Sequence, residues 1–379
     1  MKKGWEVKKL GEVCEIKPPK REARNKLKET DVVSFAPMEA LRINQKYLIP
    51  TKERTLKEVG GSYTYFANGD VLLAKITPCF ENGKLGIAKN LKNGIGFGSS
   101  EYIVFRTNEY LFPEYLYYFL LRPQFKEEGA KRMKGAVGHK RVSKEFIENC
   151  GIPIPPLPDQ KRIVAILDEA FENITKAKEN AEKNLKNAKE IFESYLQSVF
   201  ENKGDGWEEK RFEEVCVLQR GFDLPTRSRS KGNFPLVSSN GITDKINVWK
   251  IKAPGVVTGR SGTIGNVHFI EEDFWPLNTA LYIKEFHGNY ERCVYYFLRQ
   301  FDLKKYSSGA GVPTLNRNNV HGEKVWFPKS LSEQQSIVNK LDKLSQETKK
   351  LETIYTQKLA DLEDLKKSIL QKAFKGELK

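Results

Sequence analysis

The sequence predicts an α+β protein built as an internal duplication, with two mixed α/β globular units that are each followed by a long coiled-coil helix. Three observations predict it. GWEVKKLGEVC at residues 4–14 returns as GWEEKRFEEVC at 206–216, identical at seven of eleven positions. LPDQKRIVAILDEAF (157–171) lies over LSEQQSIVNKLDKLS (331–345), and the offset of 174 residues persists to YLQSVF (195–200) over ILQKAF (369–374). Between these repeats, short strand-like runs are bounded by Gly, Asn and Pro. The order is A–B–A′–B′: one large unit copied once, not a short-period solenoid.

The first A unit, residues 1–156, holds VVSFAPM, GDVLLAKI and GIGFGSSEYIVFR as strand candidates. The second, 205–330, holds APGVVTGRSGTIGNVHFI and FWPLNTALYIKEF. Each has one aromatic helix, PEYLYYFLLRPQF or ERCVYYFLRQFDL, whose tyrosines and phenylalanines are assigned to the core. Gly135-Ala136 matches Gly309-Ala310 just upstream of each B segment. Proline-rich IPIPPLP marks the hinge into the first B segment and ENKGDG the hinge out of it.

The B segments, 157–204 and 331–379, have no Pro or Gly between Asp159 and Lys203 or between Ser332 and Lys375. Ser332 with Gln335 has the form of a capping box. The apolar track of the first runs Ile163, Leu167, Ala170, Ile174, Ala177, Ala181, Leu185, Ala188, Phe192, Tyr195, Val199. Its steps alternate four and three except at Ala181 to Leu185, a local stutter in a coiled-coil seam. The second repeats it with Ile337, Leu341, Leu344, Leu351, Tyr355, Leu359, Leu362, Ile369 and Ala373, interrupted by Thr348 and Lys366. Each helix is a rod of roughly 65 Å at about 1.5 Å per residue. The stripe needs a partner, either in another chain or in its own copy, and the duplication favours the copy.

The chain carries a formal net charge of +15, which points to a polyanionic partner. Residues 1–156 hold 28 basic and 18 acidic side chains, and 205–330 hold 18 and 14. The B segments are nearly balanced, at 8 against 9 and 10 against 8, so the partner is expected on the A units. Mean hydropathy is −0.56 and no apolar run approaches the roughly 18 residues of a membrane span, so no membrane association is expected. No apolar stretch follows the first lysines, so no signal peptide is expected. Five scattered cysteines without a C-x-x-C pair fit reduced, mostly buried thiols of a cytoplasmic protein.

These motifs together resemble the specificity subunit of a type I restriction–modification system, over essentially the whole chain. The helix start P-L-x-(D/E)-Q-x-x-I-V…L-D is matched by Leu157-Pro158-Asp159-Gln160 and Leu331-Ser332-Glu333-Gln334. LQxxF helix ends occur twice, and AFKGEL is a usual ending in that family. KITPCFENGK (75–84) and GFGSSEYIVFR (96–106) look like one class of target recognition domain; GRSGTIGNV (259–267) and NTALY (278–282) look like another. The resemblance implies two target recognition domains separated by two antiparallel coiled-coil helices in a pseudo-twofold arrangement. Each domain would read one half of a bipartite, asymmetric double-stranded DNA target. Two methyltransferase subunits would dock on the helices, and restriction/translocase subunits would join them. S-adenosylmethionine, ATP and Mg would belong to those partners, with no cofactor in this chain.

The motifs of a catalytic chain are missing. There is no G-x-x-x-x-G-K-(S/T), and residues 259–265 are glycine-rich but followed by Asn266-Val267. No (N/D)-P-P-(Y/F) occurs, and Pro155-Pro156 follows Ile154. Pro158-Asp159 with scattered E-x-K triplets can be read as a nuclease motif, but Asp159 at a helix N-terminus is favourable in any case. His139, His268, His287 and His321 lack metal-ligand spacing. The chain is expected to be non-catalytic. The alternatives are the recognition part of a fused restriction–modification enzyme, or a non-specific coiled-coil DNA-binding adaptor.

Phosphate binding needs Lys, Arg and free backbone N–H groups, and base reading needs polar or basic side chains at groove edges. KRMKGAVGHKR (131–141) supplies Lys131, Arg132, Lys134, His139, Lys140 and Arg141 around its glycines; SSGAGVPTLNRNN (307–319) supplies Thr314, Asn316, Arg317 and Asn318. The first reads as backbone anchoring and the second as more polar readout, with a solvated loop as the alternative for either. Matched strand ends at Lys75 and Arg260 are followed by Thr77, Asn82 and Lys84 and by Ser261 and Thr263; Ser99, Ser100 and Asn278 lie in the later strands, and Arg220 completes the set. Arg227, Arg229 and Lys231 form a basic loop that is either a further contact or disordered.

Overall fold

The computed structural model describes residues 4–136, 138–309 and 313–378. The chain divides into two compact units, Met1–Asn180 with Lys358–Lys379, and Ala181–Gln357. The division passes through both long helices, Leu157–Glu201 and Leu331–Lys375. Each unit therefore contains one globular part and a stretch of each helix. Among the described residues no helix is long and apolar enough to cross a membrane.

In the first unit the chain enters on Glu6–Lys9, which pairs antiparallel with Gly151–Ile154, the strand directly before the long helix. A five-stranded sheet follows the order Cys14–Ile16, Tyr102–Thr107, Val71–Ala74, Leu85–Ala88, Tyr47–Leu48. A four-stranded sheet follows the order Lys52–Thr55, Val32–Ala36, Ile95–Gly98, Thr64–Ala67, with a parallel central pair. The helix Pro113–Leu121 is buried on every face from Tyr115 to Leu121.

The second unit repeats this plan. Trp207–Arg211 pairs with Lys324–Pro328, again the strand just before a long helix. Its larger sheet runs Val217–Arg220, Ala280–Glu285, Gly255–Gly259, Val267–Ile270, the same order as the first four strands of its counterpart. Its smaller sheet runs Gly241–Ile246, Lys231–Ser238, Trp275–Pro276, and the last two are parallel, as in the first unit. The duplication thus extends through the segments in which the two sequences have diverged. The aromatic helices are core in the main: Tyr115, Tyr117, Tyr118 and Phe119 are buried in one and Tyr296 and Phe297 in the other, while Tyr295 and Phe301 are half-buried against that core.

The long helices pair antiparallel in each unit. In the first, Lys178 Nζ meets Glu363 at 2.8 Å while Phe171, earlier in its helix, lies under Lys366, later in the other. In the second, Phe192, Leu196 and Phe200 near the end of one helix share a core with Val338 and Leu341 near the start of the other. The seam differs from the expected track at Leu351, which is 38% exposed, and at the end of the first helix. Leu196 is 0% exposed and Tyr195 is 38% exposed, because from Ala188 the buried ridge steps by four through Phe192 and Leu196 to Phe200. Leu370 and Phe374 do the same, which explains the paired LQxxF ends. Nor do Thr348 and Lys366 break the stripe. Thr348 is 4% exposed and donates its hydroxyl hydrogen to Leu344 O, while Lys366 lies along Phe171 and donates to Asn44 Oδ1 at 2.9 Å. The second helix also starts earlier than expected: Ser330, not Ser332, caps it, accepting from Glu333 N at 3.2 Å.

What joins each helix to its globular part is a buried glutamine. Gln160 is 0% exposed; its Oε1 accepts from Phe112 N, and its Nε2 donates to Tyr110 O and Pro155 O, all at 2.8–2.9 Å. Gln334 is 1% exposed and does the same with Tyr290 N, Asn289 Oδ1 and Pro328 O at 2.7–2.9 Å. Phe112 and Tyr290 are the residues that precede the aromatic helices, so each amide supplies one of the partners a helix N-terminus lacks. Two turns further on, Asp168 accepts from the Tyr118 hydroxyl and pairs with Lys46 Nζ at 2.7 Å, and Asp342 accepts from the Tyr296 hydroxyl and pairs with Arg292 Nε at 2.8 Å. Burial and the adjoining carboxylate hold both tyrosines far above the usual phenol range, so both stay donors.

An unpaired buried polar group costs about 1–3 kcal/mol. Gln160→Leu, which keeps the volume and strands three backbone groups, should therefore lower stability by about 2–4 kcal/mol. The measurement is the urea unfolding midpoint of the whole chain; a loss below about 0.5 kcal/mol would mean the amide is not a fastening.

Candidate nucleic-acid interface

The glycine-rich loops of the two units form the same device. In the first, Lys134 and Arg141 exchange both backbone hydrogen bonds, at 3.0 and 2.9 Å, closing a hairpin. In the second, Ser308 and Thr314 pair, with Ser307 and Leu315 beside them. Gly135 and Gly309, 174 residues apart, follow the first closing residue at φ +129° and +122°. Side chains other than glycine rarely adopt that conformation, and at Gly135 a Cβ would also stand 2.8 Å from His139 O. Residues 137 and 310–312 of these loops, Ala310 of the expected Gly-Ala match included, lie outside the described residues.

Each hairpin is hydrogen-bonded to the end of a central strand. Val142 N donates to Lys75 O at 2.9 Å, and Leu315 N donates to Arg260 O at 2.8 Å. Ile76 bridges Arg141, and Ser261 bridges Thr314. Lys75 N donates to Glu101 O and Arg260 N to Thr279 O, both at 2.9 Å. Even the basic side chains match: Lys75 Nζ donates to Ser100 O at 2.8 Å and Arg260 Nη1 to Asn278 O at 3.2 Å. The two sites share a backbone plan and differ in what they present.

In the first site the structure brings together Lys75, Thr77, Ser99, Ser100, Lys134, His139, Lys140 and Arg141. Thr77 N donates to Lys140 O, and Ser99 Oγ accepts from Glu101 N. Lys131 ends the helix Pro123–Lys131, exposed, and Arg132 stacks on Phe146 at 5.3 Å. Asn82 and Lys84 stand apart. Asn82 borders a groove with Leu121, Lys126, Lys366 and Leu370, and Lys84 Nζ donates to Met38 O.

In the second site Arg260, Ser261, Asn278 and Thr314 converge. Thr263 turns back, its hydroxyl donating to Ser239 O at 2.7 Å. Arg220 is held by Asp223 at 3.1 Å, and Asp223 also accepts from Asn278 Nδ2. Asn316 caps the short helix Arg317–His321 through Asn318 N at 3.1 Å, and Arg317 Nη1 reaches Gln219 Oε1 and Leu218 O. Among the residues of the basic loop, Arg229 is tied to Leu224 O by both Nε and Nη2.

Sequence reasoning passed over two carboxylates. Glu101 accepts from Arg141 Nε and Nη2 at 2.9 and 2.8 Å and lies 3.8 Å from Lys75 Nζ. The Arg141 hydrogen bonds hold its carboxyl below the usual range, while burial lowers the Lys75 ammonium. In the second unit Asp223 is the carboxylate that holds two of the expected residues, Arg220 and Asn278. A motif built on donors and cations does not contain the acceptors that orient them. Among the described residues no group of three or more His, Cys, Asp or Glu is placed to hold a metal ion. The five cysteines are free; burial pushes Cys14 and Cys293 up to about 12.

Comparison with known proteins agrees with this arrangement. The family model described as type I restriction modification DNA specificity domain matches residues 2–186 and 204–360, one match per copy. The EcoAI and EcoEI type I restriction enzyme specificity subunits of Escherichia coli are 40% and 39% identical over 162 and 165 residues. Each alignment spans 42% of this chain and 27%, about a quarter, of the relative's own length. The fold is that of the HsdS subunit from Thermoanaerobacter tengcongensis, with a TM-score of 0.71 at 20% identity, covering 100% of this chain and 98% of that one. A chain from a structure concerned with assembly and conformational transition of the type I R-M system reaches 0.83 at 21% identity, covering 100% and 99%. Two family matches on two copies of one topology lead to one conclusion: the chain belongs to the type I restriction–modification DNA specificity family.

Proposed function

We propose that this chain is the non-catalytic DNA-recognition subunit of a type I restriction–modification complex. Residues 1–156 and 205–330 each read one half of a bipartite, asymmetric target, and the helices of 157–204 and 331–379 set the spacer between the halves. The observation that carries this is the doubled site, a glycine hairpin fastened to a strand end, with one backbone plan and two sets of side chains. An asymmetric target needs two readers that differ, and a shared frame needs them to be copies. The basic excess of both globular segments supports a polyanionic ligand there.

Two methyltransferase subunits dock on the helices, with restriction/translocase subunits joining through them. Ile191 and Leu365, at matched positions on the two helices, are apolar and half exposed, which suits one kind of partner bound twice. S-adenosylmethionine, ATP and Mg serve those partners in the cytoplasm, and this chain holds no cofactor of its own.

Exchanging residues 1–156 for the corresponding segment of a relative should change one half of the methylated motif and leave the other intact. Sequencing of methylated adenines in cells expressing the chimaera with its methyltransferase reads this out, and simultaneous change of both halves would contradict one reader per half-site. Lys131, Lys134 and Lys140 are exposed and carry no ion pair among the described residues. Replacing all three by Ala should weaken binding to every sequence and flatten the log–log salt dependence by about 0.9 for each phosphate no longer neutralised. An unchanged slope would place the hairpin away from DNA.

A further inference from the structure

We infer that Arg141 reads a guanine in the half-site served by residues 1–156, with Glu101 as its positioning residue, and that the second site, built on Thr314 and Thr279 at the same two places, does not. This rests on the proposed function. It names the base and the side chain.

Arginine carries five N–H donors in a rigid plane. Arg141 spends three of them: Nε and Nη2 on the Glu101 carboxylate and Nη1 on His139 O at 3.0 Å. One N–H remains on each terminal nitrogen, and the two acceptors O6 and N7 on the major-groove edge of guanine take two donors from one guanidinium. The group that offers them is at the closing pair of the hairpin, with its side chain 45% exposed, while its carboxylate partner is 22% exposed behind it.

Glu101 decides between a base and a phosphate. A phosphate contact needs positive charge and little orientation, and a carboxylate next to it offsets the charge and repels the ligand. A base contact needs the plane of the guanidinium fixed before binding, so that the ordering cost of a long side chain is not met on the DNA. Glu101 supplies that fixing twice over, by a two-point hydrogen bond and by its neighbour Lys75, whose Nζ is itself held on Ser100 O. Lys134 and Lys140, without such a brace, suit phosphates. At the matched place in the second unit Thr279 stands where Glu101 stands and Thr314 where Arg141 stands, by the same pairings to Arg260 and Ser261. A hydroxyl pair cannot make the guanine fork. Thr279 Oγ1 is buried and has no hydrogen-bond partner among the described residues.

The test is selection from a randomised double-stranded DNA library by the full chain assembled with the methyltransferase subunits of its host, sequenced for wild type, Arg141→Lys, Glu101→Gln and Thr314→Ser. The wild type should enrich a bipartite motif. Arg141→Lys should lose about tenfold to a hundredfold of preference at one G·C pair in one half-site. Glu101→Gln keeps the shape but weakens the brace, and should lose part of that preference at the same pair. Both should leave the other half-site as it was, and Thr314→Ser should leave that G·C pair untouched. A motif unchanged in Arg141→Lys would overturn the inference and leave the proposed function standing, as would uniform weakening with every base preference kept, the mark of a phosphate contact. A wild-type complex that enriches no motif would overturn the proposed function and this inference with it.

Discussion

A single buried amide at the head of each long helix determines how the rest can be arranged. Gln160 and Gln334 sit where three chain segments meet: the strand before the long helix, the loop before the aromatic helix, and the long helix itself. A glutamine suits the position because it offers an acceptor and a two-hydrogen donor on one plane, and buried backbone groups must find partners. A salt bridge there would have to offset the desolvation of two charges. Fastened in this way, the aromatic helix presents Tyr118 or Tyr296 to the aspartate two turns along, and the globular part cannot rotate about the helix without breaking both contacts.

That rigidity matters because the candidate interface is made of short pieces. A two-residue closing pair, one strand end and one turn carry the side chains in each copy, and none would be ordered alone. They are ordered because the strand ends belong to sheets packed on the aromatic helix, which is packed on the paired long helices. In the first unit Tyr115 and Phe119 lie 4.8 and 5.5 Å from Phe374, so the core runs without a break from the sheet to the far end of the second long helix. The copies differ in strand number, five and four in the larger sheets and four and three in the smaller, and in side chains, but not in this frame. Arg141 with Glu101 in one copy and Thr314 with Thr279 in the other stand at matched backbone places.

Much of this was legible in the sequence, and the parts that were not have physical reasons. The duplication and the helices are local patterns, readable from identity and from the 3.6-residue period. The seam end was misplaced because Tyr195 and Leu196 are adjacent and both can fill an apolar track, and only packing decides which faces inward. Thr348 and Lys366 looked like breaks because one-letter polarity does not show that a threonine can satisfy its own hydroxyl or that a lysine can set its ammonium over a ring. The pairing of Lys75 with Arg260 was readable from their neighbours. The roles of Asn316 as a cap and Arg317 as a tie to Gln219 depend on contacts to residues far away in the chain. Glu101 was missed for the same reason, since its partner is 40 residues away and its charge is opposite to the one sought.

The central claim is that the two globular parts are independent readers mounted on equivalent places. It is tested most directly by making them identical. A chain in which residues 205–330 are replaced by a second copy of residues 1–156 should, with its methyltransferase partner, methylate a symmetric bipartite motif whose halves are inverted copies of the half-site that the first domain reads. An asymmetric motif from that chain, or the original one, would contradict the account.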